Sequence, residues 1–190
     1  MRPTREEALA LLHEHTKTES LRKHALAVEA CMRAYARHFG EDEELWGLVG
    51  LLHDFDYEQH PSPEEHPLWG SRVLQERGYP EEVIRAILSH ADYLSDRYPR
   101  RSLMERALYA VDELAGFVIA CALVRPQRLE GLTPASVRKK LKQPSFAAKI
   151  SREDIHRGVQ ELGVDLDEHI ARVIAALQEV AEELGLKPTG

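Results

Sequence analysis

The stretch GLVGLLHDFDYEQH, from Gly47 to His60, carries an apolar run, Leu48 to Leu52, straight into an imidazole and a carboxylate. His53 and Asp54 are adjacent, about 100° apart on a helix, so they flank one ion together only where a helix ends. The loop from Asp54 to Pro67, punctuated by Pro61, Pro63 and Pro67, supplies such an end.

Other apolar stripes are interrupted in the same way. His24 lies three residues after Leu21 and four before Val28, on the inner face of its helix. His90 lies seven after Val83 and three after Ile87, and Asp112 lies four after Leu108 and three before Ala115. A lone histidine on such a face is usually a core residue with a hydrogen-bond partner. Asp112 is harder to accommodate. An isolated buried carboxylate is costly or has its pKa forced upward, so it needs a partner. No Lys or Arg lies one turn away on that face, and Glu113 adds negative charge. A divalent cation answers Asp112 and the histidines together. Imidazole and carboxylate donors without thiolates suit Mn, Fe, Ni, Co or Zn rather than a calcium site or an iron–sulfur cluster.

The elements that must position these groups all read as helix, and no stretch alternates with a period of two. Thr4 and Glu7 form a capping-box pattern before the first helix. A second runs from about Thr18 to Phe39 and stops at Gly40, and a third from Glu43 to about His53. Pro67 opens a helix to about Arg77, and Pro80 opens another through about Ala91. After a loop rich in Asp, Arg and Pro, Ser102 to Val124 forms a long helix, apolar all round towards its end and therefore expected at the centre. Three more helices follow, starting at Thr133-Pro134, Ser151 and Asp165, with the last ending at Gly185.

With 190 residues, the chain suits one all-α domain, with a core at about 18–124 and a C-terminal helical extension at about 133–186. A formal charge of −7 argues against general nucleic-acid binding, while leaving room for a local cationic site that holds a small phosphorylated molecule. Cys31 and Cys121 lie in apolar helical stretches and read as buried thiols. The longest apolar run, Leu114 to Val124, is well short of the roughly 20 residues that span a bilayer. With no signal or transit composition at the start, a cytoplasmic protein without membrane contact is expected.

The residues singled out above resemble the H…HD…D motif of the HD-domain superfamily of metal-dependent phosphohydrolases. It reads here as His24 in SLRKHALAVEA, His53-Asp54 in GLLHDFDYE and Asp112 in ALYAVDELAGF. HPLWGSRVL looks like the later His-x-x-x-Gly segment and contributes His66; VIRAILSHADY looks like the next histidine-bearing helix and contributes His90. EDEELWGLVGLLHDFDYE and ALVRPQRLEGLTPASVRKKLKQPSFAAKI look like a small group of single-domain members described only as predicted HD hydrolases, which would account for the C-terminal helices. The family motif often continues His-Asp-Ile-Gly, whereas here Phe55 and Asp56 follow, and Asp56 is expected at the rim of the site.

The resemblance implies an HD-type helical bundle with one ion on His24, His53, Asp54 and Asp112 and a second on His66 and His90, bridged by Asp54. One or two divalent ions are expected, from Mn, Fe, Ni, Co, Zn or Mg, with Asp54 as the catalytic carboxylate. Ions about 3.5–4 Å apart share a hydroxide that attacks phosphorus and clamp the phosphoryl oxygens. The implied substrate is a nucleotide or another small phosphate ester, with phosphomonoester and phosphodiester both open, as is the oligomeric state. Two alternatives stand beside this: an HD-fold di-iron oxygenase, and a non-catalytic module stapled by metal or sensing a nucleotide.

Arg22 and Lys23 flank His24 and are the candidate phosphate contacts at the cleft mouth. Arg125, thirteen residues beyond Asp112 or roughly 20 Å along a helix, is too distant for that task. Arg138, Lys139, Lys140 and Lys142 form a local basic face, of the kind that is usually solvated. His13, His15, His38, His156 and His169 stand beside charged residues and are expected to face solvent, and His60 is expected in a surface loop.

Overall fold

Short polar side chains define most of the helix starts. Thr4, Asp42, Ser102, Thr133, Ser151 and Asp165 each accept a hydrogen bond from the backbone N–H three residues on, satisfying donors that the first helical turn leaves free. At Ser102 the bond is reciprocal, because Glu105 turns back to the Ser102 N–H. The computed structural model describes residues 2–189. It contains α1 (Arg5–His15), α2 (Glu19–Phe39), α3 (Glu43–Leu52), α4 (Leu68–Glu76), α5 (Glu81–Ser89), α6 (Leu103–Leu123), α7 (Pro134–Leu141), α8 (Arg152–Leu162), α9 (Leu166–Glu179) and α10 (Ala181–Leu184). No strand occurs among the described residues, so the fold is all-α.

α3 is buried on every side from Leu45 to Leu52, and α2 is its main neighbour. Two glycines set the closest approaches in the bundle. A Cβ at Gly50 would stand 2.7 Å from the Glu29 Cα and 2.8 Å from the Val28 carbonyl oxygen, so α2 and α3 touch backbone to backbone. A Cβ at Gly158 would stand 2.7 Å from the Ala110 Cα, so α8 lies equally close to α6. Val111, Leu114, Ala115, Phe117 and Val118 of α6 are all buried at the centre.

The structure departs from the expected elements in three places. A 3₁₀ turn, Asp92–Leu94, interrupts the loop after α5. The last turn of α6 outruns its neighbours: Leu123 and Val124 are 54% and 59% exposed, because the chain turns away through Arg125 and Arg128 instead of folding back over them. The final helix is broken at Val180, whose φ of −115° leaves the helical region. The break lets α10 swing Leu184 and Leu186 into the core, where the Leu129 N–H donates to the Leu186 carbonyl.

Candidate metal centre

The Gly50 contact determines where the site forms. With α2 and α3 in backbone contact, His24 of α2 faces His53, which caps the C-terminus of α3, with 5.1 Å between ring centroids. α6 adds Asp112, whose Oδ1 lies 2.9 Å from His24 Nε2 and 3.1 Å from His53 Nε2. Asp54, just past the helix end, turns its Oδ2 to His53 Nε2 at 3.4 Å. Its Oδ1 lies 3.1 Å from His90 Nε2, at the C-cap of α5, and 3.2 Å from His66 Nε2, just before α4.

Two donor groups result, each with its ligand atoms within 4.8 Å of one another: His24, His53, Asp54 and Asp112 in one, and Asp54, His66 and His90 in the other. Asp54 alone belongs to both. All six residues expected from the sequence therefore converge from α2, α5, α6 and the connection between α3 and α4.

The outer ring nitrogens decide what the inner ones can do. His53 Nδ1 lies 2.7 Å from the Gly50 carbonyl oxygen, and His90 Nδ1 faces the Ile87 carbonyl. A carbonyl only accepts, so both Nδ1 atoms carry hydrogen and each neutral ring presents a lone pair at Nε2. Those lone pairs point at carboxylate oxygens, which are acceptors too. Acceptor facing acceptor is repulsive unless protons or cations lie between, and the donor set fits a divalent cation on both counts, charge and ligand type.

The same tension appears in the proton affinities. Burial opposes a charge on His53, but Asp54 and Asp112 outweigh it and hold its pKa well above the ordinary value. Burial also opposes charge on Asp54 and Asp112, yet the surrounding imidazoles hold both carboxyls far below the usual range. For His66, burial is outweighed by Asp54 and Asp56, and its pKa is pushed up to about 9. Burial, reinforced by Asp112 and Asp154, raises that of Glu113 to about 7. His53 is fully buried, whereas the side chains of His24, Asp54 and Asp112 keep 20–26% exposure, so the cluster opens to solvent on that flank.

Asp56 is not at the rim. It is 1% exposed and lies behind His66, with Oδ1 2.6 Å from His66 Nδ1 and Oδ2 accepting the Gly70 N–H at 2.8 Å. Gly70 is required there, since a Cβ would stand 2.9 Å from that same Oδ2. The second Asp of HDFD and the Gly of HPLWG are thus two parts of one device, legible only as a spacing before the loop is seen to fold back.

The two basic candidates do not join the cluster. Arg22 donates to the Thr16 and His13 carbonyls at the end of α1, and Lys23 pairs with Glu19 at 3.3 Å. Consecutive helical residues point about 100° apart, so adjacency to His24 directs both elsewhere. His169, expected in solvent, is fully buried between Tyr35 OH and the Ala110 carbonyl. Its neighbours Asp167 and Glu168 are exposed, but His169 itself lies in register with Val173 on the apolar side. His13, His38 and His156 are exposed; His15 is wedged against Phe55 and Trp69, and His60 stacks on Trp69.

A family model for the HD domain matches residues 21–116, just over half of the chain. The chain belongs to the HD domain family, and so to the superfamily of metal-dependent phosphohydrolases. No curated protein and no solved structure matches it. Among the described residues, no helix is long and apolar enough to cross a membrane.

Proposed function

We propose that this protein hydrolyses a nucleotide or another small phosphate ester with the help of divalent metal. The observation that carries this reading is the shared Asp54, which joins a four-residue and a three-residue donor group into one cluster. His24, His53, Asp54 and Asp112 would hold one ion, and Asp54, His66 and His90 a second. Divalent ions there supply positive charge for the phosphoryl oxygens and acidify water enough to furnish a nucleophile at neutral pH. The chain does the positioning. Carbonyls of Gly50 and Ile87 fix the His53 and His90 rings, Asp56 fixes His66, and the partly exposed flank at His24, Asp54 and Asp112 admits a phosphate.

The test is metal analysis of protein purified without chelator, followed by phosphate-release assays on nucleotides and aryl phosphates with Mn, Co, Ni, Fe, Zn or Mg added. Oxygen-independent turnover that follows metal content is expected. Substrate-dependent O₂ uptake with ferrous iron would replace hydrolysis with oxygenase chemistry. Full metal content with neither activity would leave a stapling or sensing module.

A further inference from the structure

α4 and α5 run side by side, and between them and the turn that follows Leu94 lies a cavity of about 290 Å³. None of its lining residues belongs to the metal cluster. Arg72 of α4, Arg85 of α5 and Arg97 of the turn line it, with one lining carboxylate, Glu81. Three lining arginines against a single lining carboxylate stand out in a chain with a net charge of −7.

Several other arginines are fully engaged by the protein itself. Arg33 and Arg100 each bridge carboxylates, and Arg152 donates to five backbone carbonyls. By contrast, among the described residues neither Arg72 nor Arg97 has a carboxylate oxygen within 4.0 Å. Arg97 meets only the Tyr98 ring, 5.3 Å from its centroid. Arg85 is held by the protein itself, with Nε 3.4 Å from Glu105 Oε2 and Nη2 donating to the Pro99 carbonyl at 3.4 Å, so Arg72 and Arg97 are the two left without a counter-charge. Two unpaired like charges lining one cavity repel, and an anion between them reverses the sign of the interaction. Planar guanidinium forks match phosphate oxygens in pairs.

We propose that this cavity binds a small anion carrying two or more phosphate groups, at a site separate from the metal centre. The floor, Leu68, Ile84 and Leu88, offers apolar surface for an organic portion, and the Gln75 amide adds a neutral polar partner. The volume is at the low end of small-molecule sites, which run from about 300 to 1,000 Å³, so the ligand is compact. The occupant would tie α4 to α5, the helices whose site-facing ends lead from His66 and into His90.

Calorimetric titration of the full chain with inorganic pyrophosphate, and separately with ADP, tests this. The protein is used as purified and again after metal has been stripped by chelator and dialysed away. Binding that persists without metal, weakens with salt and falls at least about tenfold in an Arg72→Gln, Arg97→Gln double variant is expected. Both side chains are exposed and unpaired, so that variant keeps the fold. A tighter fit for ADP assigns the apolar floor to a nucleoside, and equal affinities assign the site to inorganic anion; either supports the proposal. Absence of binding to the stripped protein, or undiminished affinity in the double variant, overturns it. An Asp54→Asn variant separates the two sites. It disables the metal centre while anion binding persists, so loss of hydrolysis and loss of the anion site are read independently.

Discussion

Asp56 Oδ1 lies 2.6 Å from His66 Nδ1, and this one contact fixes which ring nitrogen of His66 faces the metal cluster. A carboxylate accepts only, so Nδ1 keeps its hydrogen, and in the neutral ring that would bind metal Nε2 presents its lone pair towards Asp54. Asp56→Asn reverses that preference, because the amide can turn an N–H towards Nδ1 while its oxygen keeps the Gly70 bond. The expected result is a loss of about 10–100-fold in affinity for one ion, with the other unchanged. Competition titration against a metal-binding dye measures it, and two unaltered affinities would remove Asp56 from the site.

Asp54→Ala removes the only residue common to both donor groups. Activity should vanish and at least one equivalent of metal should be lost, while circular dichroism retains its helical signature. A variant with full metal content would contradict the bridging role.

Gly50→Ala tests the backbone contact that brings His24 to His53. The added methyl would meet main-chain atoms of Val28 and Glu29, which cannot rotate away. Overpacking of this kind costs roughly 1–3 kcal/mol, so the urea midpoint should fall. Metal affinity should fall with it, because the two histidines are pried apart. A stability loss without a metal effect would show that the site tolerates a wider α2–α3 gap.

His169 makes stability depend on pH. Burial pushes its pKa down to about 4, from 6.5 in the unfolded chain. Between those values the unfolded state takes up a proton that the folded state refuses. The contribution is therefore complete above pH 6.5 and is lost as pH falls towards 4, on the order of 3 kcal/mol in all. Urea unfolding at a series of pH values should give a flatter profile in this window for His169→Gln than for the parent chain. Parallel profiles would assign acid sensitivity to other groups.

Five of the cluster residues, His24, His53, Asp54, His90 and Asp112, were legible because each is an acid or imidazole that interrupts or ends an apolar helical stripe, whereas His66, in a loop, was reached only through the family resemblance. Burial without a partner is costly, so such a substitution signals a partner. The helix starts were legible for a similar reason, since Ser, Thr and Asp three residues ahead of a donor have a local use. What stayed hidden depends on the chain doubling back. Asp56 acquires its role only when the 54–67 connection brings Gly70 and His66 onto it. His169 was obscured by exposed neighbours, and Arg22 and Lys23 by an adjacency in sequence that a helix converts into divergence. The break at Val180 has no cue in the apolar spacing, which continues through it to Leu184.

The grip on Ala110 has a practical corollary. The family match stops at residue 116, yet the turn of α6 just ahead of Asp112 is clasped from behind by Gly158 and by His169, both well beyond that limit. A fragment trimmed to the recognised unit would keep every proposed ligand but lose the brace that holds one of them at its station. For this protein, borrowing or minimising the scaffold means carrying the tail along.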